Sequence, residues 1–189
     1  MTVAESLTSL VFGMTRQTGL KRLAESAKLV RIASRIVPVS MRLDPAQWGR
    51  LDPVDSFEQQ FAPHGIDMEC GIIADREQGE LKELSWYIIR NMEVQADDRR
   101  IDLERYGEII INGQVWGHVR ARSSFRGGSL KTEEYFTVIP GFGSIQVIFS
   151  ALEDVFDAAA PLRDAATATL QVNPSILANS AELGDWIAD

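Results

Sequence analysis

Four residues at every second position of a predicted strand are the strongest candidates for chemistry. They are Trp116, His118, Arg120 and Arg122. Alternate side chains of a strand share one face, so these four form one polar and aromatic surface. That surface could bind a small molecule bearing a carboxylate or phosphate through the arginine guanidinium groups. The alternative is a face that is solvated or covered by a helix and binds nothing.

Other signatures of catalysis are missing from the sequence. His64 and His118, the two histidines, do not have metal-ligand spacing. The single cysteine, Cys70, excludes an intrachain disulfide and is expected to be a small buried apolar residue. No P-loop, HExxH, CxxC or GxSxG motif occurs. We therefore expect no catalytic residue, metal or cofactor, and a noncatalytic role is favoured over an enzymatic one.

Charge is divided unevenly along the 189 residues. The first forty residues hold six basic and two acidic side chains, whereas the whole chain carries a net charge of −8. An acidic body argues against nucleic-acid binding. The basic segment is typical of a region that docks onto something acidic.

Helical periodicity from Thr18 to about Ile36 predicts an amphipathic helix. One side of it is apolar, and the other carries a basic arc of Lys21, Lys28, Arg31 and Arg35. Three interpretations stay open: the apolar side packs on the protein's own sheet, the arc docks onto another protein, or the helix lies on an anionic membrane.

The remaining pattern predicts an α+β fold with an antiparallel sheet of about six or seven strands flanked by helices. Its clearest element is a hairpin closed by Asn112-Gly113, followed by strands over 130–139 and 144–149. Further strands are predicted over 37–43, 68–75 and 83–94, and short helices over 56–62, before Gly107 and from a Ser150 cap. The predicted divisions are a basic helical extension (1–36), a sandwich domain (37–172) and an acidic tail (173–189).

Residues 37–172 resemble the PsbP-like and DcrB-like α-β-α sandwich superfamily. Three stretches carry the resemblance: Leu43-Asp44-Pro45-Ala46-Gln47-Trp48; Ile111-Asn112-Gly113; and Tyr135-Phe136-Thr137-Val138 leading to Ile145-Gln146-Val147-Ile148-Phe149 and a helix with Phe156 and Asp157. The resemblance implies a noncatalytic role in contacting other macromolecules. It transfers no functional residue.

The sequence therefore favours a cytoplasmic adaptor or chaperone-like protein that binds another protein through the basic helix, a sheet face, or both. One alternative is a small-molecule-binding protein or enzyme with a site near Trp116, His118, Arg120 and Arg122, and the other is peripheral membrane attachment. No secretory signal or membrane-crossing run is expected. The identity of the partner and the oligomeric state stay open.

Overall fold

Two antiparallel sheets make up most of the described chain. The computed structural model describes residues 29–54, 57–76, 79–85, 88 and 100–178. The smaller sheet has the order β1-β2-β10 and the larger one the order β3-β4-β5-β9-β8-β7-β6. The strands are β1 (Val30–Ala33), β2 (Val39–Leu43), β3 (Trp48–Leu51), β4 (Gln59–Pro63), β5 (Met68–Asp75), β6 (Arg100–Ile111), β7 (Gln114–Phe125), β8 (Gly128–Ile139), β9 (Gly143–Leu152) and β10 (Gln171–Val172). The predicted α+β class and strand number are confirmed.

The Asn112-Gly113 turn organises the end of the large sheet. Its two residues have φ angles of 49° and 81°, as a type I′ turn requires, and they join the 12-residue strands β6 and β7. β8 and β9 continue this meander, and β9 then pairs with β5 along eight residues. The hairpin prediction is confirmed. It could be made from the sequence because this turn depends on the local backbone preferences of its two residues.

One face of the large sheet, here the α face, carries the main core. Helices α1 (Glu153–Ala158) and α2 (Ala160–Thr167) and the small sheet pack against it, and a third short helix, α3 (Ser175–Ala178), follows β10. The largest fully buried side chains of this core are those of Trp116, Phe61, Phe149, Phe156, Met41 and Leu43. Burial of this apolar area provides most of the driving force for folding.

The opposite face, here the second face, carries a smaller apolar cluster. Val119 and Phe136 pack there with Ile88 and with partly buried leucines of the helical stretch 81–85. Gly117 makes room for this packing, since a Cβ at that position would lie 2.0 Å from the Phe136 ring. Side chains from outside the sheet therefore reach both faces at its centre.

Cys70 lies in the middle of β5. Its Cα partners are Phe61 on β4 and Phe149 on β9, and its side chain is fully buried. Burial raises the pKa of the thiol far above its usual range. The expectation of a buried apolar cysteine is confirmed.

The helix predicted up to Ile36 is wrong for its last part. Val30–Ala33 is strand β1, which pairs with β2 in the register Val30↔Leu43 to Ala33↔Ser40. Ser34 closes the turn between them by accepting hydrogen bonds from the backbone N–H groups of Ile36 and Val37. Pairing with β2 and burial of Ile32 outweigh the helical periodicity.

Four other local predictions are also wrong. Gln59–Pro63 is a strand rather than a helix, because it pairs with β5 and extends the large sheet. Trp48–Leu51, for which no element was predicted, continues that sheet beside it. Residues 83–85, where the predicted strand 83–94 was expected to begin, are helical, and most of the rest of that prediction lies outside the described residues. β6 replaces the helix expected before Gly107. Ser150 does not cap a helix, since it is paired within the sheet to Thr132 and Glu69, and α1 begins at Glu153.

The proposed three-part division stays a prediction. Most of the segment 1–36 and most of the tail 173–189 lie outside the described residues. α3 begins in the sequence predicted as tail, two residues after Asn173, whose side chain accepts hydrogen bonds from the N–H and hydroxyl of Ser175.

Candidate functional site

A buried carboxylate lies at the centre of the predicted polar surface. Glu133 on β8 is 1% exposed. Its Oε1 accepts hydrogen bonds from His118 Nε2 at 2.8 Å and from Arg120 at 2.7 Å, while its Oε2 accepts one from Arg163 Nε at 2.6 Å. We call these four residues the Glu133 cluster. They join β7, β8 and α2 through one carboxyl group.

Three contacts fix the guanidinium group of Arg163 within this cluster. Besides its contact with Glu133, it donates through Nη1 to the carbonyl oxygen of Phe156 at 2.7 Å. Its guanidinium carbon lies 3.8 Å from the centroid of the Phe156 ring, within cation–π range. A buried arginine is tolerated here because its charge is paired with Glu133 and its Nε and Nη1 groups have hydrogen-bond acceptors.

The electrostatics of the cluster favour ionised Glu133. Burial alone would raise the pKa of its carboxyl, but hydrogen bonds from His118 and Arg120, together with the charges of Arg120 and Arg163, outweigh burial and lower the pKa to about 2. Tyr135 stacks on His118 with ring centroids 4.9 Å apart. Burial and the nearby Glu133 charge raise the pKa of the Tyr135 hydroxyl well above its usual range.

The four residues singled out by their alternation do share the α face, but they do not form one accessible site. Trp116 is fully buried in the core, and its Nε1 has no hydrogen-bond partner within the described part of the chain. His118 and Arg120 are already paired with Glu133. Arg122 is 38% exposed in its side chain and contacts Asp102 at 3.1 Å. An external anion would have to compete with internal carboxylates.

Ion pairs extend from Arg122 towards the start of α1. Lys131 contacts Asp157 at 3.0 Å and Glu153 at 3.2 Å, and Arg122 lies 3.8 Å from Glu153. Burial would lower the pKa of Lys131, but hydrogen bonds to Asp157 and Glu153 outweigh burial and raise it. The basic residues around α1 therefore meet acidic residues of the same chain.

Two arginines lie side by side on the small sheet, and neither has an ion pair with a described residue. Arg31 on β1 is the Cα partner of Arg42 on β2, and both are exposed. Paired residues of antiparallel strands point to the same side, so the two like charges are neighbours. Arg31 Nε donates to Ser40 Oγ at 3.1 Å. Arg42 was missed in the sequence because Arg31 was assigned to a helix.

The other residues of the predicted basic arc are less informative. Arg35 is exposed, and its backbone N–H donates to Glu58 Oε1 at 2.6 Å. Lys21 and Lys28 lie outside the described residues. The arc stays a prediction, and the two described members, Arg31 and Arg35, do not lie on a helix.

Exposed apolar side chains gather at the β6–β7 hairpin. Tyr106 is 67% exposed, Ile110 is 75% exposed and Val115 is 39% exposed. Ile110 and Val115 are Cα partners, and Tyr106 lies four residues before Ile110, so the three share the second face. We call them the edge patch. Three consecutive isoleucines, Ile109-Ile110-Ile111, place apolar side chains on both faces of the strand, whereas a strand with one solvated face alternates apolar and polar residues. This run is the sequence signal that could have indicated the edge patch.

The hairpin that carries the edge patch is anchored from the other side. Asn112 Nδ2 donates to the carbonyl oxygens of Leu170 at 2.7 Å and Ala168 at 3.1 Å. Ile109 and Ile111 pack against the main core. The patch therefore lies on a fixed strand rather than on a loop.

Within the described residues, no three His, Cys, Asp or Glu side chains are grouped as a metal ion would require. None of the helices in that part of the chain has the length and apolar character needed to cross a membrane.

Comparison with known proteins rests on structure. No protein-family model matches the sequence, and no curated protein matches it either. Cyanobacterial PsbP (CyanoP) of Synechocystis sp. PCC 6803 is 16% identical, with a TM-score of 0.60, over 78% of this chain and 94% of that one. The chain has the PsbP-like fold.

Two further solved structures support the PsbP-like assignment. LpqN of Mycobacterium tuberculosis, described as involved in cell envelope biogenesis, is 11% identical over 72% of this chain and 83% of its own, with a TM-score of 0.57. The Saccharomyces cerevisiae Ran-binding protein Mog1p is 9% identical over 80% of this chain and 99% of its own, with a TM-score of 0.51. At these identities the PsbP-like similarity establishes the fold alone.

Proposed function

We propose that this protein is a noncatalytic protein-interaction module of the adaptor or chaperone-like kind, acting in the cytoplasm. The observation that carries the proposal is the edge patch. Tyr106 and Ile110 expose large apolar side chains on a strand whose outer edge has no partner among the described residues. Exposed apolar clusters on a rigid element are typical of protein-binding surfaces.

The Glu133 cluster supports a noncatalytic role. A catalytic histidine needs access to a substrate, whereas His118 is 4% exposed and bonded to Glu133. Arg120 and Arg163 are bonded to the same carboxylate. We therefore assign this polar group to attachment of α2 to the sheet, and we place binding at the edge patch.

The Ran-binding protein Mog1p gives limited support from a protein of the same fold. Its described activity is binding to another protein, and we extend only that general kind of activity to this chain. The partner here is not inferred from it.

Capture of native partners tests the proposal. Wild-type protein, a variant with Tyr106→Ser and Ile110→Ser, and a control with Leu152→Ser would be immobilised and exposed to extract of the source cell. Leu152 is 45% exposed but lies at the end of β9, away from the edge patch. We expect a set of proteins captured by wild type and control and lost with the double variant. Equal capture by all three proteins would mean that the edge patch does not bind these partners.

The arginines of the small sheet suggest a second contact, for an acidic partner. The predicted contact residues are Lys21, Lys28, Arg31 and Arg35, and the opposed pair Arg31 and Arg42 is the observation that favours it. An anionic group between two like charges would relieve their repulsion. Arg31→Ser with Arg42→Ser should then lose partners that high salt also removes. Cosedimentation with anionic vesicles distinguishes a protein partner from the membrane alternative.

A further inference from the structure

The register of the β6–β7 hairpin determines which backbone groups of β6 face outward. In a hairpin with a two-residue loop, the residues that flank the loop, Ile111 and Gln114, form a hydrogen-bonded pair. Every second residue back along β6 repeats that arrangement as far as the register shift between Leu103 and Arg105. The residues in between direct their N–H and C=O groups away from β7.

Those intervening residues are Tyr106, Glu108 and Ile110. β6 is the last strand of the large sheet, and the structure describes no strand beyond it. Three residues therefore offer up to six backbone groups at an edge that ends at the hairpin turn. An unpaired edge of this kind is a template for another strand.

The side chains of the same three residues add a specific pattern. All three lie on the second face, with Glu108 between Tyr106 and Ile110 at two-residue spacing. Glu108 is exposed and has no ion pair with any described residue. Its Cα partner on β7 is Gly117, which offers no side chain to it. The edge thus presents the order apolar, acidic, apolar.

We propose that β6 binds an extended segment of a partner protein, which adds to the large sheet as a strand beside residues 105–111. The segment carries a basic residue opposite Glu108 and apolar residues two positions before and after it. Backbone hydrogen bonds supply affinity, and the three side-chain contacts supply selectivity. This inference rests on the proposed function, because it names the partner class of the edge patch.

A second copy of the chain fits the same edge poorly. In a two-fold symmetric pair of β6 strands, the register that places Tyr106 opposite Ile110 of the second copy also places the two Glu108 side chains opposite each other. Like charges directly opposite each other destabilise a strand pair. A segment with a central lysine or arginine avoids that repulsion.

A pair of nine-residue peptides provides the test. The first is acetyl-Ser-Thr-Ile-Thr-Lys-Thr-Ile-Thr-Ser-amide, and the second has Glu in place of Lys. Nuclear magnetic resonance of the ¹⁵N-labelled full chain should show amide shifts concentrated in residues 105–111. We expect the lysine peptide to bind roughly threefold or more tightly than the glutamate peptide.

Charge reversal makes the test selective. Glu108→Lys should invert the preference between the two peptides, whereas Asp67→Lys, an exposed change in the turn before β5, should leave it unaltered. Equal affinity of the two peptides, shifts outside β6, or no inversion in the Glu108→Lys variant would overturn the inference.

The peptide experiment and the capture experiment can fail independently, so strand addition and the proposed function are tested separately. If neither peptide binds but the Tyr106→Ser, Ile110→Ser variant still loses native partners, strand addition is wrong and the edge patch remains a binding surface. If native capture is also unchanged, both proposals fail.

Discussion

Arg163 Nε lies 2.6 Å from Glu133 Oε2, and this contact joins α2 to β8 across 30 residues of sequence. Arg163 is 3% exposed and Glu133 is 1% exposed. Both charges are shielded from solvent, so their stabilisation depends on partners within the protein. The pair therefore makes the position of α2 depend on the ionisation of one carboxyl group.

Removal of the arginine should destabilise the protein strongly. We expect Arg163→Met to lower the free energy of unfolding by about 3 kcal/mol, because it leaves a buried carboxylate with one fewer donor and one fewer charge partner. Urea denaturation followed by circular dichroism measures this. Arg50→Met, at an exposed position of β3, is the matched control and should change stability by less than about 0.5 kcal/mol. Similar losses for both would contradict the prediction.

Acid should weaken the Glu133 cluster. The pKa of Glu133 is about 2 in the folded protein, below the ordinary glutamate value of about 4.5, so the unfolded chain takes up the proton first as the pH falls. The stabilisation is fully present above about pH 4.5 and is lost between that value and about pH 2, by an amount on the order of 2–3 kcal/mol. Denaturation of wild type and Glu133→Gln across this range should show their difference shrinking towards pH 2. A constant difference would argue against an ionised, paired Glu133.

Glu134, the next residue, should show the opposite pH dependence. Its side chain lies on the second face of the large sheet. Burial there raises its pKa to about 7, and the hydrogen bond from Gln146 offsets only part of that rise. The folded state then holds the proton more tightly than the unfolded chain, so stability falls as the pH rises from about 4.5 to 7. We expect Glu134→Gln to be more stable than wild type by about 1–3 kcal/mol above pH 7 and nearly equal to it at pH 4. Thermal denaturation at both pH values decides this, and a gain of equal size at pH 4 would contradict it.

The anchor of the β6–β7 hairpin offers a nearly isosteric test. Asn112→Asp preserves a residue that tolerates positive φ but removes the amide that donates to Leu170 and Ala168, so we expect a loss of about 1–3 kcal/mol at neutral pH. Asn173→Asp is the control, because both described side-chain hydrogen bonds of Asn173 use its Oδ1 as the acceptor. Chemical denaturation should separate the two, and equal effects would mean that the Asn112 amide contributes nothing.

The features that the sequence predicted well depend on local chemistry. Asn112-Gly113 defines its turn through positive φ angles, and alternation in 114–149 indicates strands whose neighbours follow directly in the chain. Those strands carry part of the resemblance to a PsbP-like sandwich, which the comparison of structures confirms.

The errors occur where distant parts of the chain decide the structure. Val30–Ala33 fits a helical period equally well, and only pairing with β2 makes it a strand. The grouping of His118 with Arg120 on one face followed from alternation, but the carboxylate between them could not. Glu133 comes 13 residues after Arg120, and Arg163 a further 30 along the chain, so their meeting depends on strand register and helix position.

The burial of Cys70 has a practical consequence. As the chain's one thiol, it lies between two phenylalanines on the central strands and is protected from solution reagents in the folded state. A thiol reagent can then react with the wild-type chain only after the strands around β5 separate. The rate of labelling, compared with that of the denatured chain, reads out how often the middle of the large sheet opens, and every variant proposed above retains this natural probe.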